Sequence, residues 1–373
     1  MPRRSDSPSR RTFLAGSAAL GTVSVAGCLG LIGSDDDDAP NTFGQIGSGR
    51  AGRPEPGGTR VEDLPDLEGE LTVYSGRGEF LVGTLLGDLE DYYEDFTVDP
   101  RYGNSSELVN QIAEEGSGTP ADVFYTVDAA ALGALAEEGR TQALSEEATS
   151  MVDEEFRTDQ WVGTSGRART VPFNTDSLSN EDMLDSIQAY ATDFDGDLGW
   201  APSYGSCQGF VTAMRLLEGE ETTREWLEGI VDSGIAEYSD EFAVCQAVAD
   251  GEIDAGFTNH YYIQRVLDGS PDAPIATSFT EGDAGAVFDV AGAAVTDAAD
   301  DADLAQNFVR HLLSAQAQEY FATETYEYPL IPDVEPVGDL PPIDELDVPN
   351  VDLSQLSDLE PTIDLMREVG INT

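Results

Sequence analysis

The chain has 373 residues and a net charge of −55, with 73 acidic residues against 18 basic ones. Every basic residue is an arginine. An acidic excess without lysine is typical of proteins that work in concentrated salt, where counterions screen self-repulsion. A surface of this sign repels phosphates, which excludes nucleic-acid binding, and the length suffices for two domains.

The first 28 residues have the pattern of an export signal. Arg10 and Arg11 precede Thr-Phe-Leu and a short apolar run that ends at Ala26. This start is similar to a twin-arginine signal, and the apolar run is too short to span a membrane. Val-Ala-Gly-Cys is similar to a lipobox, which makes Cys28 the predicted lipidation site. We therefore expect export by the twin-arginine route and a lipid anchor at the extracytoplasmic face of the cell membrane.

Residues 29–69 are predicted to be a disordered tether between this anchor and a folded body. They include the stretch SDDDDAP, are rich in Gly, Pro, Arg and Asp, and show almost no apolar periodicity. Such a composition cannot bury enough apolar surface to form a core.

From Leu71 onward, short apolar strands alternate with helices. The predicted strands are LTVYSG, FTVDPRYG and ADVFYT, and the predicted helices are Glu79 to Tyr93, Ser105 to Glu115 and Asp128 to Glu138. This alternation predicts an α/β fold with a mostly parallel sheet and helices on both faces. Ligands of such sheets bind beyond the carboxyl ends of the strands, here after Tyr74, Tyr102 and Tyr125.

The second half of the chain is consistent with another α/β lobe. Its predicted strands are ARTVPFNTD, LGWAP, IDAGFTN and GAVFDVAGAAV. Its predicted helices are Gly209 to Glu218, Thr223 to Asp232, Phe242 to Asp250, a single helix from Asp303 to Thr323, and a final helix near Leu356 to Glu368.

Several motifs occur in a recognisable order along residues 71–330. They are LTVYSGR, PADVFYTVDAAALGALAEEG, WVGTSGRART with FNTD, LGWAPSYGS, AVADGEIDAGFTNHYY and YPLIPDV. Together they resemble the substrate-binding proteins of iron(III) ABC transporters, the ferric-ion-binding proteins of the bacterial periplasm. The resemblance implies a two-lobe periplasmic-binding-protein fold of type II, with mixed sheets and a hinge between the lobes. Lobe one is then expected at 71–170 and 279–334, and lobe two at 171–278 and 335–373.

The motif NHYY contains two adjacent tyrosines, for which packing alone would be the ordinary interpretation. In the family that the chain resembles, a tyrosine pair here holds the ferric ion, which makes Tyr261 and Tyr262 the predicted metal ligands. Fe(III) is a hard cation that favours anionic oxygen, so it would displace the protons of phenols whose ordinary pKa is about 10. Because neighbouring residues of a strand point to opposite sides, we expect the strand to end before the pair. His260 is expected to support the pair rather than bind metal.

The ligands that the family contributes from its first lobe are absent. The family has a histidine in VYNGQH and a glutamate in FYSEQ, whereas VYSGRG and FYTVD place Gly78 and Val127 at these positions. The nearest replacements are Glu79, Asp128 and Arg77. An arginine here could hold a synergistic anion such as carbonate, which would fill remaining sites on the iron.

The stretch PSYGSC resembles the turn at which the family binds an anion on backbone N–H groups at a helix start. The anion contacts predicted at this turn are Ser203, Gly205 and Ser206. Tyr204 adds a third phenol within reach of the metal, and Asn259 matches a further anion contact. Glu241 replaces an asparagine, and it is interpreted either as an iron ligand or as a solvated charge.

Two further features near the predicted cleft are interpreted as structural. The stretch Gly103 to Ser106 opens a helix and is interpreted as its cap rather than as a ligand contact. Arg167 is expected to stabilise the hinge between the lobes.

The resemblance places Cys207 and Cys245 behind the same site, at the starts of neighbouring helices. In an oxidising compartment it allows a disulfide between them, and the alternative is two small buried thiols.

Enzymatic chemistry has little support in the sequence. No Walker loop, Gly-x-Ser-x-Gly, His-Glu-x-x-His or EF-hand spacing occurs, and there are two histidines. The resemblance implies a monomeric, lipid-anchored receptor that captures Fe(III) and delivers it to an ABC permease and its ATPase. The alternatives are the same fold binding thiamine, a polyamine or a phosphonate, and an extracellular carboxylate-dependent hydrolase.

Overall fold

The thirteen-residue strand Val162–Asn174 is the longest strand, and it runs through both halves of the protein. The computed structural model describes residues 53–332, 334–356 and 358–373. The strands are β1 Gly69–Ser75, β2 Phe96–Tyr102, β3 Val123–Thr126, β4 Val162–Asn174, β5 Leu198–Trp200, β6 Ala236–Glu237, β7 Ala255–Gly256, β8 Thr258–Asn259, β9 Ile275–Ser278, β10 Phe288–Val295 and β11 Tyr328–Pro329. The helices are α1 Glu79–Tyr92, α2 Ser105–Glu115, α3 Ala129–Glu137, α4 Glu146–Thr149, α5 Gly205–Glu218, α6 Glu220–Asp232, α7 Glu241–Ala249, α8 His260–Gly269, α9 Ala302–Leu312, α10 Ala315–Tyr320 and α11 Glu360–Glu368.

The sheet is mixed, and β4 is its centre. On one side the strand order is β2-β1-β3-β10, with β1, β2 and β3 parallel and β10 antiparallel to both β3 and β4. On the other side β4 pairs with β7, β8 and β9, and β5 and β6 extend this half in parallel. The predicted mixed α/β architecture is confirmed.

Two apolar cores lie on the two halves of the sheet and define two lobes. Val162 and Ala168 of β4 belong to the first core, whereas Val171 and Phe173 belong to the second. The strand therefore crosses from one lobe to the other at about residues 168–171. Gly166 is required just before this crossing, because an added Cβ would lie 2.0 Å from the ring of Phe288.

The core contacts differ in detail from the predicted lobe boundaries. Ala284 and Val287, expected in lobe one, pack in the second core, because the chain crosses back only where β10 begins. Leu340, expected in lobe two, packs in the first core, and Ile343 and Leu346 pack against it. The C-terminal segment therefore touches both lobes before α11 joins the second.

The predicted tether also ends earlier than residue 69. Val61 and Leu67 are buried in the first core, and Arg53 forms an ion pair with Glu319. These few anchoring residues are too widely spaced to produce the periodicity of a helix or strand, which is why the stretch resembles a linker in sequence. The signal and lipidation residues up to Cys28 lie outside the described residues.

The helix predicted from Asp303 to Thr323 is divided into separate segments. Helix α9 ends at Leu312, and the hydroxyl of Ser314 accepts the amide of Ala317 to start α10. A π-helical turn, Phe321–Thr325, then ends the run at Tyr326, which has a φ of 61°. A serine cap inside an apolar periodic run interrupts the helix without disturbing the periodicity. Across the described residues, no helix has both the length and the apolar character needed to cross a bilayer.

Candidate functional site

A cleft of about 700 Å³ opens between the two lobes, and the predicted tyrosines line it. The strand before them ends at Asn259, and α8 begins at His260, so Tyr261 and Tyr262 occupy the first turn of a helix. Successive helical residues are rotated by about 100° rather than 180°, so both rings can face the same side. Their ring centroids are 4.4 Å apart.

A third phenol joins this pair from another helix. The hydroxyl oxygens of Tyr204 and Tyr262 lie 2.8 Å apart, and the amide nitrogen of Asn259 donates to the hydroxyl of Tyr261 at 3.2 Å. Tyr204 is the residue immediately before α5, which begins at Gly205. The cleft thus holds three phenolic oxygens, presented by the starts of two helices.

Burial controls the protonation of the adjacent pair. It raises the pKa of Tyr261, and the Glu241 carboxylate adds to this effect while Arg167 opposes it. Burial also raises the pKa of Tyr262, and the neighbouring Tyr261 raises it further. Both side chains are therefore neutral phenols unless a cation displaces their protons.

Positive charge reaches the cleft through Arg265, which the sequence analysis did not identify. The guanidinium carbon lies 5.0 Å from the ring centroid of Tyr261 and 5.3 Å from that of Tyr262. Among the described residues no carboxylate is paired with it, whereas Arg167 pairs with Asp289. Its position three and four residues after the tyrosines puts it on the same helical face, and this spacing was the available signal.

The predicted anion-binding turn lies only partly in the cleft. Gly205 and Ser206 line it, and the hydroxyl oxygen of Ser206 is buried without a hydrogen-bond partner in the described structure. Such a buried hydroxyl is available to a ligand that can accept or donate a hydrogen bond. Ser203 is exposed and lies outside the residues that line the cleft.

Glu241 is not available as an iron ligand or as a solvated charge. Its side chain is completely buried, one oxygen pairs with Arg169, and the other accepts the backbone amide of Asn259. The structure therefore corrects both interpretations made from the sequence. The carboxylate holds the backbone of Asn259, the residue immediately before α8.

Arg77 and Glu79 also lack the roles that were predicted for them. Arg77 is completely buried, where it pairs with Glu327 and donates to the hydroxyl of Ser165. Its guanidinium is used inside the first lobe and cannot hold an anion in the cleft. Glu79 is exposed in the first turn of α1 and is not among the residues that line the cleft.

The first-lobe wall of the cleft contains carboxylates in place of the absent family ligands. Gly78 and Val127 both line the cleft, as does Asp128, which caps α3 by accepting the amide of Ala131. Asp289 and Glu327, which the sequence analysis missed, line the same wall. Each is paired with an arginine, so this wall offers no free cluster of metal-binding side chains among the described residues.

Of the two interpretations left open for the cysteines, the structure has the buried thiols and not the disulfide. Cys207 and Cys245 are both free and completely buried, and the sulfur of Cys245 lies 3.5 Å from the hydroxyl of Thr258. Burial raises the pKa of both thiols to about 12, so they are inert, packed side chains. Cys207 packs in one cluster of the second lobe and Cys245 in another.

Comparison with known proteins gives the family of this two-lobe structure. Residues 88–344 match the bacterial extracellular solute-binding protein family. The chain belongs to this family. The solute-binding protein described here is 32% identical over 311 residues to the major ferric iron-binding protein of Neisseria meningitidis serogroup A. That alignment covers 81% of this chain and 93% of the relative.

Two solved structures are similar to this solute-binding protein over nearly their whole length. Iron-bound HitA from Pseudomonas aeruginosa is 28% identical with a TM-score of 0.71, covering 81% of this chain and 99% of that one. The Trichodesmium protein IdiA (FutA), in complex with iron and citrate ligands, is 25% identical with a TM-score of 0.70, covering 82% of this chain and 100% of that one. Both confirm the predicted two-lobe fold.

Proposed function

We propose that this protein binds Fe(III) in the interlobe cleft, with Tyr261 and Tyr262 as phenolate ligands and Tyr204 as a third. The observation that carries the proposal is the cluster of three phenols, with Tyr204 and Tyr262 hydroxyls 2.8 Å apart and the paired rings at 4.4 Å. Phenolate is an anionic oxygen donor, which a small, highly charged cation prefers over imidazole or thiolate. The names of the ferric iron-binding relatives support the same ion.

We further propose that a small anion completes the coordination of the iron. Three phenolates leave positions on the ion open, whereas Glu327 and Asp289 are already paired with arginines and Asp128 caps α3. Arg265 and the unpartnered hydroxyl of Ser206 line the cleft and are suited to an oxyanion such as carbonate. The citrate in the Trichodesmium structure supports an exogenous ligand of this kind.

We also propose how the protein delivers its iron and where it is located. After closure of the lobes, the loaded protein would dock on an ABC permease that works with its ATPase. Lipidation of Cys28 after twin-arginine export would keep a monomeric receptor at the extracytoplasmic face of the membrane. A Cys28→Ser variant should then be recovered in the medium instead of the membrane fraction, and retention of that variant in the membrane would contradict the anchor.

We infer binding rather than catalysis. Both histidines are completely buried with their ring nitrogens engaged, so neither is available as a general base. The absence of a free carboxylate pair in the described wall of the cleft also disfavours a hydrolase.

The proposal is tested by titrating the purified protein with ferric ion and recording its visible spectrum. Phenolate ligands should produce a charge-transfer band, and the double variant Tyr261→Phe/Tyr262→Phe should lose it. Tyr190→Phe is the matched control, because Tyr190 is buried in the second core, where its hydroxyl accepts the amide of Leu184. A protein that stays colourless with iron but is stabilised by thiamine, a polyamine or a phosphonate would contradict the proposal.

A further inference from the structure

His260 immediately precedes the tyrosine pair, and its imidazole points into the protein. The side chain is completely buried. Nδ1 lies 3.1 Å from the backbone nitrogen of Ala168, and Nε2 lies 2.8 Å from the carbonyl oxygen of Tyr326. Because a backbone amide only donates and a carbonyl only accepts, the ring is the neutral tautomer with its proton on Nε2.

The imidazole of His260 makes the next hydrogen bond to β4 after the backbone pairing of β8 has ended. Strand β8 pairs with β4 through Thr258 and Asn259, but the next residue begins α8 and its backbone turns away. Nδ1 of His260 accepts the amide of Ala168, which is the next residue of β4 toward the first lobe. A side-chain nitrogen thus takes the place of a backbone acceptor where the strand becomes a helix.

The other ring nitrogen reaches a segment that belongs to the first lobe. Tyr326 is the one non-glycine residue with a positive φ in the described part of the chain, at 61°. A non-glycine residue in this region is strained and needs surrounding contacts to hold it there. Glu327 follows and lines the cleft, and β11 then pairs with β4 at Gly166 and Ser165.

His260 therefore lies where β4 changes its pairing partner, from β8 of the second lobe to β11 of the first. Its ring also packs on Tyr328, with centroids 4.7 Å apart, and on Tyr261, at 5.6 Å. Movement of α8 relative to β4 would stretch the hydrogen bond between Nδ1 of His260 and the Ala168 amide.

We propose that His260 is a positioning residue for metal capture, which rests on the proposed function. It holds the phenols of Tyr261 and Tyr262 in a fixed relation to the crossover strand and to the loop that carries Glu327. Occupation of the tyrosines is thereby coupled to the relative position of the lobes. The imidazole does this without contributing a ligand to the ion.

The second histidine supplies a matched control. His311 is also completely buried and also makes two hydrogen bonds, to the hydroxyl of Tyr93 and the carbonyl of Asn307, each at 2.8 Å. It lies in the first lobe and is not among the residues that line the cleft. Removal of either ring should reduce stability, but only removal of the His260 ring should affect the metal site.

The test compares His260→Leu and His260→Gln with His311→Leu and His311→Gln in the full chain. The readouts are the ferric dissociation constant, measured by competition with a chelator, and the wavelength of the charge-transfer band. We expect His260→Leu to weaken binding by about 10- to 100-fold and to shift the band, as is typical for residues that orient metal ligands. His260→Gln, which retains one donor and one acceptor, should recover part of the loss. The His311 variants should stay within about twofold of wild type, because distant sites act independently.

Equal effects of the His260 and His311 substitutions on affinity and band would overturn the inference. If His260→Leu does not fold, His260→Gln against His311→Gln decides in the same way. In the wild type, ferric ion should also slow hydrogen exchange of the Ala168 amide, and unchanged exchange would count against the coupling. A wild type that gives no band at all would instead refute the proposed function, and the inference would fall with it.

Discussion

At the scale of single residues, the proposed coordination by the phenols of Tyr261 and Tyr262 would make ferric binding dependent on pH. Burial raises the pKa of both, so each is protonated near neutrality and loses a proton when it becomes a ligand. Acid therefore favours the protonated, metal-free form.

We predict that the two protons released by this pair lower ferric affinity by as much as about 100-fold per pH unit as the pH is lowered. Competition titrations between pH 6 and 8 would measure the slope, and Tyr262→Phe should reduce it by as much as about tenfold per pH unit, the share of one proton. An affinity independent of pH would mean that the phenols are not ionised on binding.

A second prediction concerns the buried ion pair of Glu241 and Arg169. Glu241→Gln leaves the Arg169 guanidinium in a site where it is 6% exposed, so we expect a loss of about 3–5 kcal/mol in the free energy of unfolding. Urea denaturation of the iron-free protein would measure it. Glu237→Gln, on the exposed strand β6, should change stability by less than about 0.5 kcal/mol. Full stability of Glu241→Gln together with lost iron binding would instead indicate a ligand.

At the scale of elements, the cap of α2 separates a structural role from a ligand-binding one. The side-chain oxygen of Asn104 accepts the amides of Ser106 and Glu107, at 3.0 and 3.4 Å, and the residue also lines the cleft. We predict that Asn104→Ala lowers the free energy of unfolding by about 1 kcal/mol, whereas Asn104→Asp retains it. Ferric affinity should stay within about twofold in both variants. A tenfold loss of affinity at unchanged stability would show that Asn104 contacts the ligand.

The elements themselves were predictable where apolar periodicity is long. Helices α1, α2 and α6 agree with the sequence prediction to within a few residues, because each repeats apolar residues at helical spacing over several turns. No bounds were predicted for helix α8, although the strand was expected to end before the tyrosine pair. The helix follows a two-residue strand and opens with His260 and two tyrosines, which are weak helix formers.

The tyrosines of the site were predictable from the sequence, but the residues around them were not. Tyr204, Tyr261 and Tyr262 lie together in the cleft as expected. Arg77 and Glu241 were placed in it wrongly, because the sequence does not show that each has a partner far along the chain. Long-range ion pairs of this kind depend on the tertiary fold and leave no local pattern.

At the scale of the whole molecule, we expect the net charge of −55 to make stability depend on salt. Mutual repulsion of the carboxylates opposes the compact state, and salt screens it over a Debye length of about 10 Å at 0.1 M and about 3 Å at 1 M. We predict that the melting temperature rises steadily between 0.1 and 2 M NaCl. Sucrose at matched osmolality is the control, since it carries no charge, and a melting temperature insensitive to NaCl would contradict a halophilic origin of the charge.

We propose that phenolate oxygens hold the ferric ion between the lobes. Resonance Raman spectroscopy of the ferric-loaded protein, excited within its visible band, tests this most directly because it enhances vibrations of groups bonded to the metal. We predict tyrosinate ring modes in the wild type and in Tyr190→Phe, and their loss in Tyr261→Phe/Tyr262→Phe. Stoichiometric iron binding without tyrosinate modes would contradict coordination by Tyr261 and Tyr262.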